Sequence, residues 1–165
     1  MSRSDYHILF AIQKLKKADH LLDVASTVSN ERLLISAIKN ISLAASHTMK
    51  AILVSLQDKT QDTSFYTTKE TNFSNECSRH HLHINKIYLK SIERLELLIN
   101  THNNATTEFI RKGTLIICDN NYNCLSLNET IAKRLLHYIT LFVYRAKAII
   151  NIPLHELKAE ASKKC

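Results

Sequence analysis

The sequence has very few of the residues that shape tight turns, with one glycine and one proline in 165 residues. Globular proteins have roughly 7% glycine and 5% proline. Glycine-rich phosphate loops, dinucleotide-binding turns and nucleophile elbows all need glycines at fixed spacing, so none of them can be assembled here. A β-sandwich with many tight turns is disfavoured for the same reason. These shortages favour a mostly helical protein.

The chain also lacks a long, uninterrupted apolar run. Its richest apolar stretch, residues 138–152, contains Arg145 and Lys147 and is too short and too charged to cross a bilayer. The amino-terminal sequence MSRSDYHILFAI has neither the continuous apolar core nor the small-residue cleavage site of a secretory signal. We therefore expect a cytoplasmic protein without a membrane partner.

Positive charge is in modest excess and is spread along the chain. Lys and Arg total 22 against 15 Asp and Glu, a formal charge of +7, and no run of five or six like charges occurs. A solvated basic surface explains this better than a dedicated nucleic-acid face, although RNA stays possible as a partner. The candidate phosphate-contacting residues lie on the last long helix and are Lys133, Arg134, Arg145 and Lys147.

The four cysteines are too few for a disulfide scaffold and form no CxxC pair. They are Cys77, Cys118, Cys124 and Cys165. Cys118 and Cys124 could face each other across a hairpin. In a reducing compartment we expect them to be two small apolar side chains and not a disulfide.

Apolar residues recur every three or four positions along four long segments, which predicts amphipathic helices. The first runs from an N-cap at Ser4 to about residue 26, and the second, capped by Ser29 or Asn30, forms an αα-hairpin with it. The predicted core positions are Ile8, Ile12, Leu15, Ala18, Leu22 and Ala25; Leu34, Ile38, Ile41, Ala45, Ile52 and Leu56; Tyr88, Ile92, Leu95, Leu98 and Ile99; and Ile131, Leu135, Ile139, Phe142, Ala146 and Ile149.

The connections carry the remaining signals. Residues 58–84 form a loop-rich connection, rich in Thr, Ser, Asn and Asp, with a short helix around 65–77. Residues 108–112 predict a single turn of helix that ends at Gly113. Residues 114–127 predict a β-hairpin, with Asp119, Asn120 and Asn121 in its turn, and the capping box from Ser126 to Glu129 starts the last helix. Pro153 ends that helix before a tail at 154–165.

Together these signals predict a single domain, residues 1–165. Its fold class is all-α: an up-down helical bundle of about four long helices with a small β-hairpin inserted before the last long helix.

One cluster has metal-binding potential. In a helix, Cys77, His80 and His81 would share a face, with His83 or His102 as a distant fourth ligand. The paired CxxC or HxxxH spacing of strong zinc sites is missing, so exposed histidines are favoured and no metal or cofactor is assigned.

Two further histidines invite a catalytic interpretation. His20 follows Asp19, but neighbours on a helix point about 100° apart, so Asp19 cannot easily orient the imidazole. A buried, hydrogen-bonded histidine or a surface histidine is therefore favoured for His20, and equally for His47 in the second helix.

The strings KKADHLLDVASTVSNERLLISAIKNISLAASHTMKAIL, EFIRKGTLIICDNNY and LSLNETI resemble a group of small uncharacterised helical proteins from archaea, and also the HEPN class of helical bundles. That class includes toxin-type ribonucleases and nucleotidyltransferase partners. The resemblance implies a helical bundle and a homodimer. An active HEPN ribonuclease has an Arg followed after four to six residues by a His.

No arginine in this chain has that spacing, so no catalytic residue is carried over. Arg3 to His7 and Arg79 to His83 leave three residues between them, Arg134 to His137 leaves two and Arg94 to His102 leaves seven. The favoured function is therefore a non-enzymatic helical interaction module that self-associates or binds a macromolecular partner. The alternative is a divergent HEPN-like RNA-binding protein or ribonuclease, with Arg79, His83, Arg134 and His137 as the residues to test.

Overall fold

The computed structural model describes residues 2–60, 73–79 and 82–151. Within these ranges the chain is mostly helical, with five helices and one three-stranded antiparallel sheet of order β1-β2-β3 that precedes the last helix. The elements are α1 (Arg3–Val28), α2 (Arg32–Thr60), α3 (Phe73–Arg79), α4 (Lys86–Asn103), β1 (Ala105–Arg111), β2 (Thr114–Asp119), β3 (Cys124–Leu127) and α5 (Glu129–Asn151).

Alanines seven residues apart recur on the buried sides of α1 and α2, two helices that pack closely together. Ala11 and Ala18 in α1 and Ala37, Ala44 and Ala51 in α2 are completely buried. A repeat of seven keeps these positions on one side of each helix, and their small side chains allow the helix axes to approach closely. The core positions predicted for α1 and α2 are confirmed as buried, except that Ile12 is only partly covered.

The core of the molecule continues onto α5, whose buried side meets α3 and α4. The ring of Phe142 is fully buried, with its centroid 6.1 Å from that of Phe73 and 5.6 Å from that of Tyr88. Aromatic pairs at such separations add to the free energy of burial. Phe142 therefore joins α3, α4 and α5, and α5 also packs against α1 and α2.

Two predicted helix starts are each placed two residues away from the observed caps. The N-cap of α1 is Ser2, which forms a reciprocal capping box with Asp5, while the predicted cap Ser4 is buried within the first turn. At α5 the cap is Asn128, whose side-chain Oδ1 accepts a hydrogen bond from the backbone N–H of Ile131. Ser126 of the predicted capping box lies in β3.

The predicted helical turn at 108–112 is wrong, because residues 105–111 form strand β1. The segment ATTEFIR is rich in β-branched and aromatic residues, which fit a pleated strand better than a helix. It pairs antiparallel with β2 from Arg111 opposite Thr114 to Ala105 opposite Asp119, with a bulge near its start. The predicted hairpin of β2 and β3 is confirmed, and β1 extends it to three strands.

Gly113 does not end a helix but turns the chain between β1 and β2. Lys112 has φ 49° and Gly113 has φ 70°. Two consecutive positive φ values define the two-residue hairpin turn whose twist matches that of the strands, and glycine adopts them without steric cost. The β2–β3 turn follows the prediction, since a side-chain oxygen of Asp119 accepts hydrogen bonds from the backbone N–H groups of Asn121 and Asn123.

The loop-rich connection predicted at 58–84 is partly helical. α2 continues through its first residues to Thr60, and α3 corresponds to the short helix expected around 65–77. Pro153, Cys165 and the predicted tail at 154–165 lie outside the described residues, as do His80 and His81.

Candidate functional site

The most distinctive concave surface lies between α4 and α5, and we call it the α4–α5 groove. It has a volume of about 350 Å³. Its cationic side chains are Lys90 and Arg94 from α4 and Arg134 from α5, and among the described residues no carboxylate lines it. The groove is lined by Ile87, Lys90, Ser91, Arg94, Ile131, Arg134, Leu135 and Tyr138.

The absence of carboxylates from the α4–α5 groove follows from the way charge is divided around α4. Glu93 and Glu96 of the same helix line a separate cavity with Met49 and Phe73. The acidic side chains therefore turn towards α2 and α3, while Lys90 and Arg94 turn towards α5. The sequence shows all these charges interleaved within seven residues, and helical rotation separates them by sign.

A second groove lies on the opposite flank of α5, against α1, and we call it the α1–α5 groove. Its volume is about 310 Å³. Apolar side chains form much of its surface, Lys16 and Lys147 contribute positive charge, and Asp19 adds a carboxylate. Its remaining lining residues are Ile12, Leu15, Leu136, Thr140, Val143 and Tyr144.

The four predicted phosphate-contacting residues of α5 do not form one surface. Arg134 lies in the α4–α5 groove and Lys147 in the α1–α5 groove. The Nζ of Lys133 is 2.6 Å from Oε1 of Glu129, and this contact raises the pKa of Lys133 and lowers that of Glu129. Arg145 is exposed on α5 and lines neither groove.

Sequence reasoning missed a pair of histidines at the α1–α2 interface. The Nδ1 atoms of His7 and His47 are 3.0 Å apart, and the ring of Phe10 stacks on His47 with a centroid distance of 4.1 Å. Burial lowers the pKa of His7, and the nearby charge of Lys50 lowers it further. The structure therefore pairs His47 with His7, whereas His20 is exposed beside Asp19.

A third histidine joins three elements of the fold. Nδ1 of His102 in α4 is 2.5 Å from Oε1 of Glu108 in β1, and its Nε2 is 3.2 Å from Nζ of Lys39 in α2. The carboxylate accepts from Nδ1–H, so Nε2 accepts from the ammonium group. This chain of contacts ties β1 to the helices. Both ring nitrogens of His102, which the sequence analysis considered as a distant fourth metal ligand, therefore have hydrogen-bond partners.

Of the candidate metal-binding residues Cys77, His80 and His81, only Cys77 lies in the part of the chain that the structure describes. Cys77 is buried in α3, and desolvation raises the pKa of its thiol to about 12. Zinc binds the thiolate and not the thiol, so this environment disfavours Cys77 as a ligand. His83 is exposed, and the described residues contain no group of three metal-binding side chains.

The prediction for Cys118 and Cys124 is half right. They lie opposite each other in the β2–β3 ladder, as expected. They form a disulfide, however, and are not two separate thiols. The antiparallel pairing brings their Cα atoms to 4.1 Å, so the register of the two strands places both cysteines side by side.

Comparisons with known proteins identify no relative: no protein-family model, no curated protein and no solved structure matches this chain. Within the described ranges, no helix combines the length and the apolar character needed to span a membrane.

Proposed function

We propose that this protein is a non-enzymatic helical interaction module that self-associates through the free edge of β1. One observation supports the proposal above all: β1 is an edge strand, and every residue after Ala105 is exposed on it. An edge strand with free backbone groups and apolar side chains is a template for pairing with another strand. An up-down arrangement of the four long helices and a cytoplasmic location belong to the same proposal.

The hydrogen-bonding pattern of β1 defines which backbone groups are available. The two-residue turn closes on the pair Arg111 and Thr114, which exchange hydrogen bonds. Because antiparallel strands alternate, the N–H and C=O groups of Phe109 also point towards β2. Those of Glu108 and Ile110 point away from the sheet. Within the described residues, no strand lies beyond β1.

A second copy of β1 fits this edge by two-fold symmetry. If the two Phe109 residues lie opposite each other, Glu108 of each copy pairs with Ile110 of the other and four backbone hydrogen bonds form. The Phe109 rings then meet as a close, non-hydrogen-bonded pair, an arrangement that favours aromatic contacts. Phe109 lies opposite Ile116 on the sheet face away from the core, because its neighbour Ile110 lies opposite the buried Leu115.

Sedimentation equilibrium with the substitution Phe109→Lys tests the proposal. We expect the native chain to be a dimer at about 100 μM and the variant to be a monomer, because a lysine at the centre of the interface places two like charges opposite each other. Circular dichroism checks that the variant keeps its helices.

Leu43→Lys is the matched control, because Leu43 is 45% exposed and Phe109 is 46% exposed, and Leu43 belongs to α2 and not to the sheet. This variant should remain a dimer. A monomeric native chain, or a dimer that persists in Phe109→Lys, contradicts self-association through β1.

The second candidate function is that of a divergent HEPN-like RNA-binding protein or ribonuclease. It is favoured by Arg134 and His137, which are three residues apart and exposed on α5. Incubation with single-stranded RNA tests it: cleavage by the native chain that is lost in His137→Ala would support a ribonuclease. His83→Ala tests the pair Arg79 and His83 in the same way, and intact RNA with pure native protein argues against catalysis.

A further inference from the structure

The α4–α5 groove concentrates positive charge that no nearby carboxylate in its lining offsets. Lys90, Arg94 and Arg134 all line it, and the glutamates of α4 lie in a different cavity. On α5 itself, Lys133 differs from Arg134 in being paired with a carboxylate, that of Glu129. Three like charges around one small volume repel one another, so an anion in the groove relieves that repulsion as well as forming its own hydrogen bonds.

The remaining lining of the groove is apolar or aromatic. Ile87, Ile131 and Leu135 supply hydrocarbon surface, and Tyr138 supplies a ring. The hydroxyl of Ser91 donates to the backbone carbonyl of Ile87, so its proton is not available to a ligand. The groove therefore suits a ligand that joins a strongly anionic part to a ring or other apolar part.

Size and spacing indicate that the anionic charges of this ligand are close together. Lys90 and Arg94 are four residues apart on one helix, roughly 6 Å along its axis, and Arg134 faces them across the groove. A phosphate group carries roughly −1.5 to −2 charges at pH 7, so two linked phosphates approach the charge of three cations. The volume of about 350 Å³ is near the lower end of small-molecule sites, which limits the rest of the ligand to one ring system.

We propose that the α4–α5 groove binds a small phosphorylated ligand of the nucleoside diphosphate class. The cations from both helices hold its two linked phosphates, and the apolar wall beside Tyr138 accepts its base. This binding is independent of the pairing of β1, because Phe109 and Ile110 do not line the groove.

Isothermal titration calorimetry at low salt, with ADP and inorganic pyrophosphate as the two probes, tests this site. We expect ADP to bind with a dissociation constant on the order of 100 μM, and pyrophosphate to bind severalfold more weakly because it lacks the ring. Arg94→Gln and Arg134→Gln should each weaken ADP binding about tenfold, since each removes a charge-assisted hydrogen bond. Affinity should also fall as salt is added.

Lys147→Gln is the matched control, because it removes an exposed cation of α5 that lies in the other groove. Its affinity for ADP should equal that of the native chain. The proposal is overturned if neither probe binds, or if Lys147→Gln weakens ADP as much as Arg134→Gln does. It is also overturned if a uridine oligonucleotide binds through Arg94 and Arg134 while ADP and pyrophosphate do not.

Discussion

The two flanks of α5 carry similar numbers of positive charges and nevertheless form different surfaces. The α1–α5 groove has Lys16 and Lys147 with Asp19 beside them, whereas the described lining of the α4–α5 groove has three cations and no carboxylate. The difference arises in the partner helices, because α4 turns its glutamates towards another cavity while α1 turns Asp19 towards α5. The ligand preference of a groove thus depends on the rotation of its neighbouring helix as much as on the charge of the shared one.

The largest effect is expected from removing the buried ring that packs α5 against α3 and α4. Phe142→Ala should lower the free energy of unfolding by about 3–5 kcal/mol, because it leaves a cavity between α3, α4 and α5. Urea denaturation measures the change. The neighbouring, exposed Leu141→Ala should change stability by less than about 0.5 kcal/mol, and comparable losses in the two variants would contradict the assigned orientation of α5.

Reversing one charge should reduce pyrophosphate affinity strongly in the α4–α5 groove and only slightly in the α1–α5 groove. Lys90→Glu places a carboxylate in the α4–α5 groove and should weaken pyrophosphate binding more than about tenfold. Lys16→Glu, the equivalent change in the α1–α5 groove, should alter it less than about twofold. Calorimetric titration of both variants measures the difference, and equal losses would show that overall charge and not the groove controls binding.

The free energy of unfolding should depend on pH through His7, and this dependence should be independent of the cations in the two grooves. The folded-state pKa of His7 is lowered below its ordinary value of 6.5, so the unfolded chain binds more protons just below that pH. The free energy of unfolding should therefore be highest above pH 6.5 and should fall as the pH drops through 6.5 towards the lowered pKa. Urea denaturation from pH 5 to pH 8 measures this slope, which His7→Gln should reduce.

Among the described residues, no histidine lines either groove, so Arg134→Gln should leave this slope unchanged. A slope that survives in His7→Gln would show that another group is responsible.

The smallest effect on pyrophosphate binding is expected when the α1–α5 groove also loses its carboxylate. Asp19→Asn removes the carboxylate of the α1–α5 groove and leaves Lys16 and Lys147 without an acidic neighbour in the lining. Weak pyrophosphate binding to this second groove should then appear, at least about threefold weaker than at the α4–α5 groove. Titration of this variant with Arg94→Gln and Arg134→Gln added measures binding to the α1–α5 groove alone. A complete lack of binding would mean that two lysines are too few to hold pyrophosphate there.

Helical periodicity predicted the core with few errors, and local signals were less reliable. The buried stripe of α2 from Leu34 to Leu56 was placed correctly, because a long repeat averages over many residues. The segment 108–112 was misassigned, because a basic pair before a glycine is typical of a helix end and also of a hairpin turn. Ser126 was predicted as the cap of α5, but it pairs with β2 as part of strand β3, and Asn128 caps the helix instead.

Only one of the three cations of the α4–α5 groove was predicted from the sequence. Arg134 was named as a phosphate-contacting residue, but its partners Lys90 and Arg94 lie some 40 residues earlier, and nothing in their spacing points to α5. The pair of His7 and His47 is separated in the same way. Such pairs depend on which helix faces join, and one sequence without its fold does not specify this.

The sequence by itself determined the helical class, the buried faces and the places where helices could begin or end, since these depend on spacing within about 20 residues. Its single glycine also excluded phosphate loops, and it now occupies the β1–β2 turn. Only the tertiary structure decided that β1 is an exposed edge, that Cys118 and Cys124 are joined, and that three cations share a groove from which the glutamates of α4 are turned away. The physical reason is that periodicity sets the direction of each side chain about its own axis, whereas packing sets what that side chain meets.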